Sequence, residues 1–452
     1  MMGKGENGVI FAVAMSNERF IVIGISDAPQ PWFPPEVLEI IKNGRVFSGG
    51  KRHHELVKHL LPAGAEWIDI TAPVESVFTR YQSRGEAIII FASGDPLFYG
   101  FANTIKRLMP KAEIQLFPTF NSLQLLAHRL VIPYHDMRIV SLTGRPWPEF
   151  DRALIERATK IGVLTDKEHT PAAIAQRALE YGYTHYTMHV GEHLGNPEKE
   201  RVTTLTLEEA AGREFTMPNC IILDSPAVGA SSFGLPDSSF VLLDGREKMI
   251  TKMPIRLMTL QALDLRNRHV LWDIGACTGS VSIEARLLFP HLHIEAFEIR
   301  PECEAIIHEN CRRFGTPGIE VHIGDFLDSP LALPREGAIT FENEKFQPTQ
   351  HPVPSPTRAG GEFPDAVFIG GHGGRLKEIM KAVVRCLAPG GVIVMNSVTS
   401  PVVERMTSHR PSSRQLWDEA CAELGLRQEQ PLRIQLNDYN PIEILKAVKN
   451  DE

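Results

Sequence analysis

The stretch LWDIGACTGSVSIEA, residues 271–285, decides the fold of the second half of the chain. Apolar residues lead to Asp273, small residues follow, and a helical pattern begins after Gly279. This order is typical of a strand that passes into a helix around a small-molecule cofactor, where glycine lets the backbone approach the ligand. Cys277 stands in the middle of the turn, where glycine is usual.

The spacing of this turn separates two classes of cofactor. A dinucleotide fingerprint reads GxGxxG and needs no acidic residue before its first glycine. Here Asp273 precedes the first glycine, the spacing is DxGxxxG, and Ser280 and Val281 follow the second glycine. The turn therefore disfavours NAD and resembles the first motif, DxGxGxG, of the class I S-adenosylmethionine methyltransferases.

Three later features stand in the order that this resemblance requires. The next strand ends at Glu298, which is placed to accept hydrogen bonds from both ribose hydroxyls. The third strand ends in Gly324-Asp325-Phe326, where adenine would bind, and a Pro-Gly-Gly turn at 389–391 precedes a further strand. Together they predict a Rossmann-like α/β domain that binds S-adenosylmethionine.

The length of 452 residues predicts two domains of roughly 200 residues each. A net charge of -8 argues against a general nucleic-acid binder. The six cysteines form no CxxC pair, which favours a reducing cytoplasmic location. The apolar run VIFAVAM has only seven residues and is too short to span a membrane.

Strand patterns alternate with helical patterns from residue 19 onward, as in RFIVIGI (19–25) and PPEVLEIIKNG (34–44). A more strand-rich region at 183–224 indicates a second lobe. We therefore predict a first α/β domain over 19–225, a linker over 226–248 and a second α/β domain over 249–450. An insertion at about 334–363 is interpreted as disordered or plain, or as a lid over the active site.

The first domain is identified by FASGDPLFYG (91–100), a strand followed by a turn that Gly94 and Pro96 favour. With GGKRHHEL, FPTFNSLQ, SLTGRP and VGEHLG in the same order, it resembles the tetrapyrrole methylase family, whose domain is two-lobed. ITKMPIRLMTLQAL (250–263) and DAVFIGGHGG (365–374) extend the resemblance to about 19–448. Over that length the chain resembles the fused precorrin-6Y C5,15-methyltransferase (decarboxylating) family of cobalamin biosynthesis.

This resemblance implies a bifunctional enzyme with one S-adenosylmethionine per domain, a small-molecule tetrapyrrole substrate, no nucleic-acid or membrane partner, and a homo-oligomeric state. The first domain would methylate C5, and the second would methylate C15 with loss of the ring C acetate carboxyl. The implied cofactor contacts are Gly94, Asp95, Leu97, Ser122 and Met188 in the first domain, and Thr251, Asp273, Gly275, Ala276, Cys277, Thr278, Gly279, Glu298, Asp325 and Phe326 in the second.

The chain departs from the family pattern at Cys277, at Met253-Pro254, in the insertion, and where Gly24-Ile-Ser26 replaces GxG. A small non-glycine residue fits the middle of the turn if its φ is negative. We therefore expect Cys277 to adopt a negative φ and to reshape the turn without abolishing cofactor binding.

Several charged side chains lie beside glycine turns at predicted strand ends. Arg52 and Arg145 are predicted to hold substrate carboxylates, and His372 and Arg375 are candidate catalytic residues; ordinary surface roles are the alternative for each. Histidines 53, 54 and 59 lack a third ligand, so no metal site is predicted. The alternative functions are methylation of another tetrapyrrole or of RNA, and a decayed protein that only binds S-adenosylmethionine.

Overall fold

The computed structural model describes residues 18–82, 84–226, 234–332, 363–398, 411–436 and 440–450. Its contacts divide the chain into two compact units. The first contains residues 1–145, 160–175 and 186–225, and the second contains 146–159, 176–185 and 226–452. The predicted insertion at 334–363 lies outside the described residues except for Phe363.

The first sheet of the first unit is parallel and has the strand order β3-β2-β4-β1-β5. Its strands are β1 (Arg19–Ile25), β2 (Val46–Gly49), β3 (Glu66–Asp69), β4 (Ile88–Ser93) and β5 (Glu113–Phe117). The strand predicted from RFIVIGI is confirmed as β1. The central strands β1 and β4 are apolar and buried, as expected for a parallel sheet covered on both faces.

The second sheet is mixed, with the order β6-β7-β10-β8-β9. It contains β6 (Arg138–Ser141), β7 (Lys160–Leu164), β8 (Thr187–Glu192), β9 (Arg201–Thr206) and β10 (Asn219–Asp224), of which β8, β9 and β10 pair antiparallel. The second lobe predicted from the strand-rich region is thus confirmed.

Helices connect these strands. They are α1 (Pro35–Asn43), α2 (Lys51–Val57), α3 (Val74–Tyr81), α4 (Phe101–Leu108), α5 (Ser122–Leu130), α6 (Pro148–Ile155), α7 (Pro171–Glu180) and α8 (Leu207–Ala211). Helix α6 groups with the second unit, and the division at residue 175 splits α7 between the two units. Within the second unit the Tyr183 hydroxyl donates a hydrogen bond to the Gly315 carbonyl at 2.7 Å.

The second unit is built on a sheet of order β13-β12-β11-β14-β15-β18-β16, with β17 paired to β18. Its strands are β11 (Val270–Ile274), β12 (His293–Glu298), β13 (Ile319–Ile323), β14 (Ala366–Ile369), β15 (Val392–Val398), β16 (Arg427–Gln428), β17 (Leu432–Ile434) and β18 (Ile442–Val448). Strands β11 to β15 run parallel, and β18 runs antiparallel to β15. The chain leaves β11 in one direction and returns to its other side at β14, so the strand order reverses between β11 and β14.

The helices of this unit are α9 (Met253–Leu263), α10 (Ser280–Leu288), α11 (Glu302–Phe314), α12 (Leu376–Cys386) and α13 (Ser413–Glu423). One apolar core joins α9, α10 and α11 to one face of the sheet, and a second joins α12 and α13 to the other face. Among the described residues, no helix is both long and apolar enough to cross a membrane.

Part of the predicted linker belongs to the second unit. Residues 227–233 lie outside the described part of the chain, whereas 234–248 form short 3₁₀ turns. Leu235, Phe240 and Leu243 are buried in the core that contains α9, α10 and α11. The apolar residues at these positions therefore hold 234–248 against the second unit, and this stretch is not a free connection.

Candidate cofactor-binding sites

A cavity of about 900 Å³ opens in the second unit at the carboxyl ends of the parallel strands. Its wall includes Gly275 and Cys277 after β11, Glu298 at the end of β12, and Gly371 after β14. It therefore lies where the strand order reverses, which is the general position of ligands in open α/β sheets.

Gly275 lets two turns approach each other at the floor of this cavity. Its φ is +81°, and a Cβ at this position would lie 2.7 Å from the Gly371 nitrogen. Its amide donates to the Phe297 carbonyl at 2.8 Å, which joins the turn to strand β12. Gly275 is thus required by the close approach of the Gly371 turn, and its contact with a cofactor stays a prediction.

The conformation predicted for Cys277 is wrong. Its φ is +51°, in the left-handed region, where a Cβ crowds the following carbonyl and costs about 1–2 kcal/mol in an L-residue. The Cys277 amide donates to Glu298 Oε2 at 2.8 Å, and this hydrogen bond helps to hold the backbone in that conformation. The turn thus carries a cysteine in a strained, left-handed backbone conformation.

Glu298 lies at the end of β12, is almost completely buried, and lines the cavity. Burial alone would raise the pKa of its carboxyl, but hydrogen bonds from Arg300 and the Cys277 amide outweigh burial and lower that pKa. Arg300 donates to both carboxylate oxygens, from Nε at 2.8 Å and from Nη2 at 3.0 Å. Glu298 is therefore an ionised acceptor aimed at the cavity and already paired.

Asp325 and Phe326 follow β13 and also line the cavity. The Asp325 carboxylate caps the 3₁₀ turn Phe326–Asp328 and accepts a hydrogen bond from Arg375 Nη2 at 2.8 Å. The Phe326 ring packs edge-on against the Trp272 ring, with 5.8 Å between the ring centres. The two residues form an apolar and acidic wall of the kind that could hold an adenine ring.

Other predicted residues of this turn lie behind the cavity wall. Asp273 is buried and accepts from the Ser282 hydroxyl at 2.6 Å, while its Oδ1 has no hydrogen-bond partner among the described residues. Burial raises the pKa of Asp273 to about 6. Ala276, Thr278 and Gly279 do not line the cavity, and their contact with a cofactor stays a prediction.

Thr251 lines the cavity and is held there by a buried arginine. Arg256 is 0% exposed, donates from Nε to Glu284 at 2.9 Å and from Nη1 to the Thr251 carbonyl at 2.8 Å. Glu284 also accepts the Gly234 amide at 2.9 Å. The ion pair thus ties the chain before α9 to helix α10.

His372 lines the same cavity, but both of its ring nitrogens are engaged. Gly374 donates its amide to Nδ1 at 3.1 Å, so the proton of the neutral ring is assigned to Nε2, which lies 3.0 Å from the Ser413 hydroxyl. Burial lowers the pKa of His372. A role in orienting the substrate fits this arrangement better than proton transfer.

The second cavity, of about 450 Å³, lies within the first unit. Its wall includes the ends of β1 and β4 and the start of α5, and it contains the predicted residues Arg52, Gly94 and Ser122. Gly94 has a φ of +62°, and a Cβ there would lie 2.9 Å from the Asn121 Cα. Gly94 is therefore required where the two segments meet beside the cavity.

Three predicted residues of the first domain do not reach this cavity. Asp95 accepts the Leu97 amide at 2.8 Å and so forms the turn itself, and the Leu97 side chain is exposed to solvent. Met188 is 0% exposed in strand β8 and belongs to the core. Contact of these residues with a cofactor stays a prediction.

The cavity wall also contains Asp27 and Ser93, which the sequence reasoning missed. Arg52 pairs with Asp27 and donates to the Ser93 hydroxyl at 3.2 Å, while His53 Nε2 lies 2.9 Å from the same hydroxyl. Burial and then the nearby Arg52 charge lower the pKa of His53 to about 4. The only signal for Asp27 was its position two residues after the end of strand β1.

Arg145 stands beside this cavity and does not line it. Its guanidinium lies 5.2 Å from the centre of the Tyr99 ring and donates to the Ser141 hydroxyl at 2.8 Å. Tyr99 lines the cavity, and substrate binding by Arg145 stays a prediction.

Away from both cavities, His293, Glu295 and Glu320 bring one possible ligand atom each within 4.8 Å of one another. The Glu295 carboxylate already accepts a hydrogen bond from His293 at 2.8 Å and another from His322. This cluster is accounted for as a hydrogen-bonded network on strands β12 and β13, and histidines 53, 54 and 59 do not belong to it.

Two family models match the chain. The model for Tetrapyrrole (Corrin/Porphyrin) Methylases matches residues 19–211, and the model for the Precorrin methyltransferase domain matches residues 244–341. The precorrin-6Y C(5,15)-methyltransferase [decarboxylating] of Sinorhizobium sp is 31% identical over 390 residues, which cover 86% of each chain. The chain belongs to the precorrin-6Y C5,15-methyltransferase (decarboxylating) family. The family predicted from the sequence motifs is confirmed, and so is the predicted fold class of a tetrapyrrole methylase domain followed by a Rossmann-like methyltransferase domain.

Two further proteins of this name are similar to the chain at lower identity. The enzyme of the same name from Mycobacterium tuberculosis is 25% identical over 388 residues, which cover 84% of this chain and 87% of that one. The crystal structure of precorrin-6y C5,15-methyltransferase from Geobacter metallireducens GS-15 is 29% identical and covers 49% of this chain and 100% of its own, with a TM-score of 0.35.

Proposed function

We propose that the protein methylates a precorrin-6 type macrocycle at C5 and C15 and removes the carboxyl group of the ring C acetate, in cobalamin biosynthesis. The methyl donor of this family is S-adenosylmethionine, and we propose one cofactor in each domain. The observation that carries the proposal is that each unit has its own cavity, built around a glycine turn at the ends of parallel strands.

The residues around the turn after β11, in the second unit, suit the cofactor. When bound, S-adenosylmethionine supplies an electrophilic methyl group, so the protein needs no nucleophile of its own. Gly275 leaves room for the backbone to approach it, and the ionised Glu298 carboxylate lies in the cavity wall, where it would accept from the ribose once the Arg300 side chain leaves it. The protein must then align a ring carbon with the methyl group and exclude water, an effect worth roughly 7–11 kcal/mol.

The wall of the cavity in the second unit also suits a decarboxylation. A carboxylate loses carbon dioxide more readily when its charge is deprived of water. Ile274, Phe297 and Phe326 are buried apolar residues of this wall, and Arg375 stands at its edge beside Asp325. Arg375 would orient the macrocycle through another carboxylate, and the apolar wall would face the acetate that is lost.

We further propose that the protein works in the cytoplasm as a homo-oligomer and without a nucleic-acid partner. The six cysteines are all free thiols and buried, which suits a reducing compartment. The net charge of -8 does not favour binding to a polyanion.

The proposal is tested by incubating the protein with precorrin-6Y and isotopically labelled S-adenosylmethionine and analysing the product by mass spectrometry. We expect a gain of two methyl groups and loss of one carbon dioxide, from the metal-free or the cobalt-containing substrate. Absence of methyl transfer to both forms would refute the proposal and support a different substrate or a decayed protein that only binds the cofactor.

Two glycine variants assign each methyl group to a unit. Gly94→Ala should abolish only the C5 methylation, and Gly275→Ala should abolish only the C15 methylation and the release of carbon dioxide. Gly144 and Gly64 have φ values of +61° and +80° but no atom within 4 Å of an added Cβ. Gly144→Ala and Gly64→Ala are therefore matched controls that introduce the same backbone strain without crowding, and both should keep the two methylations.

A further inference from the structure

The Glu298 carboxylate, in the cavity of the second unit, accepts four hydrogen bonds. Oε1 accepts the Arg300 amide at 3.0 Å and Arg300 Nε at 2.8 Å. Oε2 accepts the Cys277 amide at 2.8 Å and Arg300 Nη2 at 3.0 Å. Because an ionised carboxylate has about four lone-pair positions, no acceptor position is left for a further donor.

Two of these four bonds come from the backbone and two from one side chain. The amides of Cys277 and Arg300 are fixed by the turns that carry them. The Arg300 guanidinium, in contrast, lies on a side chain that is 32% exposed and lines the cavity. Rotation of this side chain would free one acceptor position on each oxygen, which is the number that two neighbouring hydroxyl groups of a ribose need.

We propose that the cofactor ribose displaces the Arg300 side chain from Glu298 and that the released guanidinium then binds a carboxylate of the macrocycle. The inference rests on the function proposed above, because it takes the cofactor and the carboxylate-bearing substrate from there. It makes Arg300 a positioning residue that couples the two ligands of the second unit.

The charges around the cavity explain why the guanidinium takes a substrate carboxylate once it is released. Arg375 is paired with Asp325 at 2.8 Å, and Lys252 lies 3.7 Å from Asp237. With Glu298 bonded to the ribose, Arg300 becomes a positive charge in the wall without its partner. A guanidinium holds a carboxylate with two parallel hydrogen bonds, which fixes the orientation of the bound group as well as its position.

This exchange predicts the order of binding. Before the cofactor arrives, the charge of Arg300 is neutralised by Glu298, so the cavity attracts the substrate only weakly. After the ribose has taken its place on Glu298, the substrate gains a new ionic contact. Because coupling between two ligands is reciprocal, bound substrate should also tighten the binding of the cofactor.

The release of carbon dioxide reports on the second unit alone and is therefore the assay. With Arg300→Met, the Kd for S-adenosylmethionine, measured by calorimetric titration without the macrocycle, should fall about fivefold, because a partly exposed ion pair of up to about 1 kcal/mol no longer competes with the ribose. The KM for the macrocycle should rise about tenfold or more, because a charge-assisted contact is lost. Arg300→Lys keeps the charge but not the forked geometry of the guanidinium. It should therefore also lower the Kd for the cofactor, and it should raise the KM for the macrocycle by less than Arg300→Met does.

The matched control is Arg312→Met. Arg312 pairs with Glu309 at 3.1 Å on helix α11, is similarly exposed and does not line the cavity. This variant should leave the Kd for the cofactor within a factor of two of its wild-type value.

A weaker affinity for S-adenosylmethionine in Arg300→Met would overturn the inference, because Arg300 would then only hold Glu298 in place. An unchanged KM for the macrocycle in that variant would overturn it as well. If the wild-type protein released no carbon dioxide from precorrin-6Y at all, the function proposed above would fail first.

Discussion

The positive φ of Cys277 predicts which of two variants, Cys277→Gly or Cys277→Ala, has the higher free energy of unfolding. At an ordinary position, replacement of alanine by glycine lowers the free energy of unfolding by about 0.4–1 kcal/mol, because the unfolded chain gains freedom. At a φ of +51° the alanine also carries a strain of about 1–2 kcal/mol that glycine lacks. We therefore expect Cys277→Gly to be more stable than Cys277→Ala by about 1 kcal/mol.

The comparison of these two variants removes the effect of the lost thiol, because neither contains it. The difference corresponds to a shift of roughly 2–4 °C in the Tm of a domain of this size, which calorimetry of the full chain resolves in the transition of the second unit. Ala276, the neighbouring residue, has no positive φ, so Ala276→Gly is the control and should lower the stability.

A Cys277→Ala variant at least as stable as Cys277→Gly would refute the reasoning. The same variants also test the effect on the cofactor. Because the amide of residue 277 still donates to Glu298 after either substitution, we expect the affinity for S-adenosylmethionine to change by much less than a hundredfold. An increase of a hundredfold or more in Cys277→Gly would show that the cysteine impairs the site.

Three further predictions concern stability and pH. Gly94→Ala should lower the free energy of unfolding by more than its control Gly144→Ala, which carries only the strain of about 1–2 kcal/mol, and denaturant titration measures the difference. Arg256→Met should destabilise the second unit by about 3–5 kcal/mol because it leaves buried Glu284 without its cation, and Arg256→Met/Glu284→Met should regain part of this loss. Burial would raise the pKa of Glu295, but hydrogen bonds from His293 and His322 lower it to about 2, so its contribution to stability is complete above its unfolded value of 4.5 and is lost as the pH falls towards 2. Glu295→Gln should therefore be less stable than the wild-type protein in urea unfolding above pH 4.5, and the difference should become smaller as the pH falls towards 2. A difference that does not change with pH would contradict the lowered pKa of Glu295.

The fold and the place of both cavities could be predicted from the sequence because they depend on local pattern. Short apolar runs that end in a glycine turn are typical of buried parallel strands, so RFIVIGI and the apolar run that leads to Gly275 predicted their strands directly. Glu298 and Asp325 were found because the carboxyl ends of parallel strands meet at one edge of the sheet.

The conformations and contacts that depend on the folded environment could not be predicted. The φ of Cys277 is set by the bond of its amide to Glu298, 21 residues away. Whether a strand residue such as Met188 faces a core or a cavity depends on which helix covers it. The pairing of Arg52 with Asp27, 25 residues away, leaves no mark in the sequence around either residue.

We propose that the chain holds two cofactor sites, one in each unit. Isothermal calorimetry of the 452-residue chain titrated with S-adenosylmethionine tests this proposal most directly. We predict two equivalents bound per chain, falling to one in Gly94→Ala and to one in Gly275→Ala. A stoichiometry of one or none in the wild-type protein would contradict the account.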